Sequence, residues 1–251
     1  FPVYVNAFVF FLFGVTTFWA RFSSALAGCL FFGFMYLTLR RIIHSDKASL
    51  WAVFSLIFSV PLLLHFRQCH YYGLGVLFTW GLFHFFLLGK DSIRNYFFYM
   101  FSLALINTHL LEWGTLMTGF FLAVLAIREQ RLPRLKMMAV NLFLCTPFLY
   151  LYKTGSVFGF EGQEVSPGLK LSLAEKILFC FSHIELSLLP LGLILILFIF
   201  LALFWHRMQT LEQNAVVSGL IVCFVSVFLT ALFMPFTYFR YIVMIIPLFE
   251  T

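Results

Sequence analysis

Apolar runs close to membrane-spanning length follow one another along almost the whole chain, the clearest being residues 18–39, 71–88, 135–152, 186–205 and 216–233. An α-helix needs about 20 apolar residues to cross the hydrocarbon core of a bilayer. Inside lipid every backbone polar group must be bonded within the protein, and these runs lack the alternation of polar and apolar residues found in membrane barrels. The sequence therefore predicts an all-α, polytopic transmembrane helical bundle.

Shorter apolar segments complete the pattern, at residues 1–13, 50–64, 96–108 and 116–127 and from 241 onward. This gives about eight to ten hydrophobic segments in a single transmembrane domain, 1–251. The short segments require tilted helices or a locally thinned bilayer, and 1–13 also suits an interfacial position. Because the chain starts without Met and stops inside an apolar run, we interpret it as truncated at both ends.

The composition excludes several classes of protein. A chain that is 63% hydrophobic and 10% charged cannot bury its apolar surface as a soluble domain. The formal net charge of +6 does not indicate nucleic-acid binding, because the cations are scattered in short loops. The five cysteines have no paired spacing, so we infer neither a disulfide nor a metal site from them. We expect no cofactor, with a divalent metal as the alternative left open.

The lysines and arginines give the bundle an orientation. Of the sixteen, ten fall in one set of loops: Arg40, Arg41, Lys47, Lys90, Arg94, Arg128, Arg131, Arg134, Lys136 and Arg207. The other six are Arg21, Arg67, Lys153, Lys170, Lys176 and Arg240. The positive-inside rule makes the first set cytoplasmic and the second set extracytoplasmic.

Polar clusters lie at the ends of the apolar runs on the predicted outer side, at residues 64–72, 107–113, 153–175, 182–185 and 237–241. The first of them reads LHFRQCHYY. Ionisable groups at membrane depth are expensive and are candidates for function. The alternative is a belt of interface anchors, in which arginines extend toward the headgroups. Several such clusters on one face favour a site.

Cationic side chains dominate these clusters. A gathering of Arg67, His70, His109, Lys153 and Arg240 would bind an anion such as phosphate, because guanidinium groups hold phosphate oxygens with paired hydrogen bonds. The tyrosines of the same stretches, Tyr72 and Tyr241, would add a hydroxyl donor and a flat surface for a sugar or a lipid chain.

Acidic groups are scarce on the same face. Both aspartates, Asp46 and Asp91, fall in predicted cytoplasmic loops, so an outer general base has to be a glutamate or a histidine. Glu112 is the candidate nearest the cationic stretches. The spacing of His109 and Glu112 also occurs in metal sites, but an isolated pair of this kind is more often a hydrogen bond at a helix end.

Four stretches, in the same order along the chain, resemble motifs of the GT-C class of polytopic membrane glycosyltransferases. The resemblance is to the branch that includes protein O-mannosyltransferases, lipid A aminoarabinose transferases and bacterial Rgt-type enzymes. The first stretch resembles the family's PPLYY…LFG…R-hydrophobe-x-SAL-x-G…Y run; it comprises Phe1-Pro2-Val3-Tyr4, Leu12-Phe13-Gly14, the run from Arg21 to Gly28, and Tyr36.

The other three stretches are shorter. LHFRQCHYY stands where the family has Q-x-x-R-x-Y-x-L, with Tyr72 and Leu74 matching, Arg67 at the Gln position and His70 at the Arg position. Asn107-Thr108-His109 resembles Y-T-H-Y, and Arg240-Tyr241 with Pro247 resembles R-Y-(x)n-P. His70 replaces a permanent cation with a titratable one, and Arg67, one helical turn away, would then supply the charge.

The resemblance implies a specific reaction. Enzymes of this class pass a sugar from a polyprenyl-phosphate donor to a protein, lipid or glycan outside the cytoplasm. An aspartate in the first outer loop is their general base, and cations stabilise the leaving lipid phosphate. That loop would precede Phe1, so we expect the catalytic aspartate to lie upstream of these residues. The implied partners are the lipid-linked donor and membrane lipid, and the implied location is a bacterial inner membrane with an extracytoplasmic active face.

Two other functions fit the same cationic face. One is a transporter or flippase for an anionic lipid, which should have polar residues through the whole depth of the bundle. The other is a catalytically silent membrane subunit. The segment 153–175, rich in glycine with one proline, is predicted to be an irregular extracytoplasmic loop that either covers a ligand or only connects two helices.

Overall fold

The computed structural model describes residues 2–57, 66, 72–88, 92–127, 131–154, 172, 174–175, 178 and 210–233. Within these ranges the chain forms eight helices and no strand: α1 Pro2–Phe13, α2 Thr17–Ile43, α3 Asp46–Ile57, α4 Tyr72–Leu88, α5 Ser92–Ile106, α6 Leu110–Ala126, α7 Arg131–Thr154 and α8 Thr210–Phe233. The prediction of an all-α bundle is confirmed. The predicted segments at 186–205 and from 241 onward lie outside the described residues.

The helices extend beyond the apolar runs, because polar residues cap their ends. The stretch RRIIHSDK, interpreted above as a loop, is helical except at His44 and Ser45. His44 adopts the left-handed conformation (φ 55°) and donates its backbone N–H to the Arg40 carbonyl at 3.2 Å, which ends α2. Arg40 Nε lies 2.6 Å from the Asp46 carboxylate, so an ion pair bridges the break.

Helix α4 is the centre of the described bundle. Every side chain from Tyr72 to Leu88 is buried. The helix packs most extensively on α2 and α5 and also contacts α6 and α8. A helix that is apolar on all sides is stable only where other helices or lipid cover its whole surface. The enclosure makes α4 the common surface against which the other helices are placed.

A buried polar network joins α2 to α4. The Thr38 hydroxyl lies 2.6 Å from Nδ1 of His84 and accepts a hydrogen bond from the Trp80 indole N–H at 3.2 Å. The same hydroxyl is 2.8 Å from the Phe34 carbonyl oxygen. Because these groups form hydrogen bonds with one another, the polar atoms of Trp80 and His84 keep hydrogen-bond partners in the apolar interior.

The outer surface of the bundle is apolar, as a surface facing lipid is. Large exposed apolar side chains occur on α1, α3 and α7, among them Tyr4, Phe11, Trp51, Phe143 and Tyr150. Helix α2 and residues Thr210–Leu229 of α8 are long and apolar enough to cross a membrane by length and composition. With 27 residues, α2 is about 40 Å long.

Helices α6 and α8 pack backbone against backbone at Gly119. A Cβ at this position would lie 2.8 Å from Cα of Val222 and 3.0 Å from its Cγ2. Backbone cannot move away as cheaply as the end of a flexible side chain, so only glycine permits this approach. By contrast, a Cβ at Gly114, on the same helix, would meet nothing within 4 Å.

We predict that Gly119→Ala destabilises the bundle by about 1–3 kcal/mol, because the added methyl group forces α6 and α8 apart. Gly114→Ala is the matched control, and it should leave stability unchanged or raise it slightly, since alanine is the better helix former. The measurement is the midpoint of thermal unfolding in detergent for both variants and the wild type. Equal midpoints for the two variants would show that the contact between α6 and α8 is not tight.

Candidate functional site

Three of the predicted site residues have described side chains: Tyr72, His109 and Glu112. Lys153 lies in the last turn of α7, and its side chain lies outside the described residues, as do Arg67, His70, Arg240 and Tyr241. Most of the predicted loop 153–175 also lies outside them, although α7 continues to Thr154.

The far end of that segment contains a helix start. The Ser172 backbone N–H donates to Oε2 of Glu175 at 2.6 Å, and the Glu175 N–H donates to the Ser172 hydroxyl at 3.3 Å. This reciprocal pair is a capping box. The hydrogen bonds from Ser172, its backbone N–H first, lower the pKa of the fully exposed Glu175 carboxyl.

Tyr72 begins α4 at a corner where this helix meets α2. The tyrosine is buried. A Cβ on the following Gly73 would lie 3.3 Å from the Phe66 ring and 3.4 Å from Ser24. The Phe66 ring also occupies the space beside Gly28, where a Cβ would lie only 2.8 Å from it. The glycines at both positions therefore let Phe66 fit between the two helices.

This corner brings two of the four resembling stretches into contact. Ser24 and Gly28 belong to the first stretch, and Phe66 belongs to LHFRQCHYY. Helix α1, which carries Tyr4, is tied to the same corner because the Ser23 hydroxyl donates to the amide oxygen of Asn6. The sequence analysis did not single out Asn6, and it included Ser23 and Ser24 only as part of the run from Arg21 to Gly28. The feature of the sequence that could have indicated these residues is the occurrence of small polar side chains inside otherwise apolar runs.

The third stretch forms the turn between α5 and α6. The Asn107 amide donates to the Leu103 carbonyl at 2.8 Å, and the Thr108 hydroxyl donates to the Ala104 carbonyl at 2.7 Å. The Leu103 carbonyl also accepts the Asn107 backbone N–H at 3.4 Å, whereas the Thr108 backbone N–H bonds Leu105, so the hydroxyl of Thr108 replaces it at the Ala104 carbonyl. Asn107 and Thr108 therefore have a structural task in closing this helix.

His109 is the N-cap of α6. Its Nδ1 accepts the backbone N–H of Glu112 at 3.2 Å. The hydrogen bond at a helix end that the sequence favoured over a metal pair is therefore present, although it involves the backbone of Glu112 and not its carboxylate. In the described part of the chain no group of three or more His, Cys, Asp or Glu residues is placed to hold a metal ion.

The Glu112 carboxylate lies in the first turn of α6 and is buried, with 1% of the residue exposed. Its Oε1 has no hydrogen-bond partner among the described residues. In a capping box this carboxylate would accept the N–H of the N-cap residue. That N–H is already used, because His109 donates it to the Leu105 carbonyl at 2.7 Å. The usual local partner of a glutamate at this position is therefore occupied.

The residue after Glu112 points into a different part of the interior. The Trp113 indole N–H donates to the Ser102 hydroxyl on α5 at 2.7 Å, and this hydroxyl lies 3.7 Å from Sγ of Cys145 on α7. These bonds fix the rotation of α6 about its axis. Helix α6 packs on α8 at Gly119, seven residues after Glu112, so these two positions lie within about 20° of each other around the helix.

Comparisons with known proteins were made by sequence and by structure. Neither a scan against protein-family models nor a search of curated protein sequences gives a match. The fold is similar to that of ArnT from Cupriavidus metallidurans, solved in the apo state, with a TM-score of 0.66 and 16% sequence identity. The match covers 99% of this chain and 47% of ArnT, so the chain spans about half the length of that protein.

The structural match confirms the predicted fold. The similarity to ArnT extends over almost the whole chain and shows the same all-helical fold. The identity of 16% shows the fold alone. The predicted site residues remain predictions.

We predict that His109→Ala lowers stability by about 1 kcal/mol, because the Glu112 N–H loses its acceptor at the start of α6. His109→Asn should retain most of the stability, since asparagine is a preferred N-cap residue. The measurement is thermal unfolding of both variants in detergent. If His109→Asn is as destabilised as His109→Ala, the histidine has a role other than capping.

Proposed function

We propose that this chain is the membrane part of a GT-C-type glycosyltransferase that moves a sugar from a polyprenyl-phosphate donor to an acceptor outside the cytoplasm. The observation that carries the proposal is the structural similarity to ArnT over 99% of the chain. The order of the four resembling stretches agrees with it. Because the chain spans about half the length of ArnT, the activity is proposed for the whole protein.

The first two resembling stretches touch each other, which supports a role for both in one site. Motifs that are far apart in sequence meet where Phe66 lies between Gly28 and Gly73. Arg67 follows Phe66 directly along the chain. In the proposed enzyme, this arginine and Arg240 bind the phosphate of the donor, and His70 and Lys153 add positive charge. The lipid chain of the donor lies against the apolar outer surface in the bilayer.

The polar residues of the central helix favour an enzyme over a transporter. A transport path requires polar side chains through the depth of the bundle. Between the ends of α4, the side chains that carry polar atoms are Thr79, Trp80 and His84. Trp80 and His84 are both bonded to Thr38 and so are not available to line a path. Helix α4 itself therefore offers little polar lining for a transport path, while buried polar side chains on other helices include Ser102, Arg134 and Asn141.

The test is a donor-binding assay on the full-length protein with a synthetic polyprenyl-phosphate sugar. Arg67→Ala and Arg240→Ala should each weaken binding by about tenfold or more, since each removes charge-assisted hydrogen bonds to phosphate. Lys176→Ala is the control, because Lys176 is predicted to lie on the same side of the membrane and belongs to none of the four resembling stretches. Sugar transfer to an acceptor in membranes should fall in parallel for the first two variants.

Two results would contradict the proposal. If the wild type binds no such lipid, a silent membrane subunit becomes the better explanation. If Lys176→Ala weakens binding as much as the other two changes do, the arginines act only through general surface charge. A lipid that crosses the membrane in vesicles without any sugar transfer would instead identify a flippase.

A further inference from the structure

Aromatic side chains line the outside of the bundle where α2 and α5 flank α4. The Phe34 ring of α2 lies 5.7 Å from the Phe101 ring of α5 and 6.2 Å from the Phe85 ring of α4, centroid to centroid. Phe97, about one turn before Phe101, stacks on Phe85 at 5.4 Å. Phe85 is buried, Phe34 and Phe101 are half-buried, and Phe97 is 44% exposed. Phe34, Phe97 and Phe101 thus form an apolar surface, the aromatic seam, that is open to lipid.

Two arginines occupy equivalent places at one end of the aromatic seam. Helix α2 runs parallel to α4 and α5 runs antiparallel to it, so α2 and α5 run in opposite directions. Arg41 follows Phe34 by seven residues, and Arg94 precedes Phe101 by seven. Seven residues make almost two turns and a rise of about 10 Å. Both arginines therefore lie on the seam face of their helices and at about the same depth.

The contacts of both arginines agree with this placement. The Arg94 guanidinium donates to the Leu88 carbonyl oxygen at 2.7 Å, so it lies at the last residue of α4. Arg41 and Arg94 both interact electrostatically with His84, one turn earlier in α4. The His84 ring in turn lies 5.8 Å from the Phe34 ring. Arg41 is exposed and Arg94 is half-buried. Two positive charges from two helices therefore flank the end of the seam.

A phosphate group suits this end of the seam. Guanidinium groups hold phosphate oxygens with paired, charge-assisted hydrogen bonds. Each guanidinium carries five N–H donors, so Arg94 can keep the Leu88 carbonyl while it binds a second acceptor. The carboxylate nearest to Arg41 in sequence, that of Asp46, lies 2.6 Å from Nε of Arg40 and pairs with that arginine. A zwitterionic headgroup would bring its own cation toward the two arginines, so an anionic headgroup is favoured.

The position of the arginines separates this place from the proposed donor site. The donor phosphate is proposed to bind beside the end of α4 at Tyr72, whereas the arginines lie at the end at Leu88. These ends are sixteen residues apart, which is about 24 Å along the helix and most of the thickness of a hydrocarbon core. Arg41 and Arg94 also belong to the cations predicted to be cytoplasmic. Anionic phospholipids of the cytoplasmic leaflet attract such cations near the membrane surface.

We propose that Arg41, Arg94 and the aromatic seam bind an anionic phospholipid of the leaflet at the Leu88 end of α4. The two guanidinium groups hold the phosphate, and an acyl chain lies along Phe97 and Phe101. A lipid bound in this way contacts α2 and α5 at once and covers the line along which they meet over α4. The inference depends on the packing of these three helices and does not rest on the proposed function.

The test measures lipid binding to the full-length protein by native mass spectrometry, with phosphatidylglycerol, phosphatidylcholine and polyprenyl phosphate as the three lipids. The wild type should prefer phosphatidylglycerol to phosphatidylcholine. Arg41→Gln should weaken phosphatidylglycerol binding about tenfold, because it removes charge-assisted hydrogen bonds to phosphate, and should leave polyprenyl phosphate binding unchanged. Arg131→Gln is the matched control, because Arg131 is also exposed and is predicted to lie on the same side of the membrane. It should bind all three lipids as the wild type does.

Three results would overturn the inference. Equal weakening of phosphatidylglycerol binding by Arg41→Gln and Arg131→Gln would show that only the general positive charge of this end matters. Equal affinity of the wild type for phosphatidylglycerol and phosphatidylcholine would show that the arginines do not select an anionic headgroup. Weaker binding of polyprenyl phosphate by Arg41→Gln would show that the carrier lipid occupies this end instead. If phosphatidylglycerol binds as expected but no polyprenyl-phosphate sugar binds, the inference stands and the proposed function fails.

Discussion

The complete burial of α4 is the constraint on which the rest of the described bundle depends. A helix that is apolar on every side has no preferred face, so its orientation must be set by its few polar and small residues. Thr38 provides one such restraint through its bonds to Trp80 and His84. Gly81 provides another, because a Cβ there would lie 2.5 Å from the Phe101 ring of α5. These contacts fix the rotation of α4 about its axis and its position along that axis.

The polar chemistry of the described bundle is concentrated where helices begin and end. Helix ends leave backbone groups without partners, and short polar side chains meet that need. Asn107 and Thr108 close α5, His109 opens α6, and His44 and Ser45 separate α2 from α3. The turn 107–109 therefore resembles a motif of a glycosyltransferase family and also caps two helices. Glu112 differs from its neighbours there because its carboxylate has no such local task.

Several features of the fold could be predicted from the sequence, because hydropathy and helix length are local properties. The apolar segments at 18–39, 71–88 and 216–233 correspond to α2, α4 and α8, with boundaries displaced by a few residues. The displacement arises where arginines and serines extend or cap helices, as at Arg40 and Ser45. The bond between His109 and the start of α6 also follows from spacing alone. The partner of Trp113 does not, since Ser102 lies eleven residues away on another helix.

The sequence by itself determined that the chain is helical, that its helices are apolar enough for a bilayer, and which stretches resemble the GT-C class. These conclusions depend on composition, period and order along the chain. Only the tertiary structure decided that Phe66 fits between Gly28 and Gly73, that Gly119 meets Val222, and that Glu112 is buried. Such contacts join residues far apart in sequence. They depend on the rotation of each helix about its axis, which packing fixes and a uniformly apolar sequence leaves open.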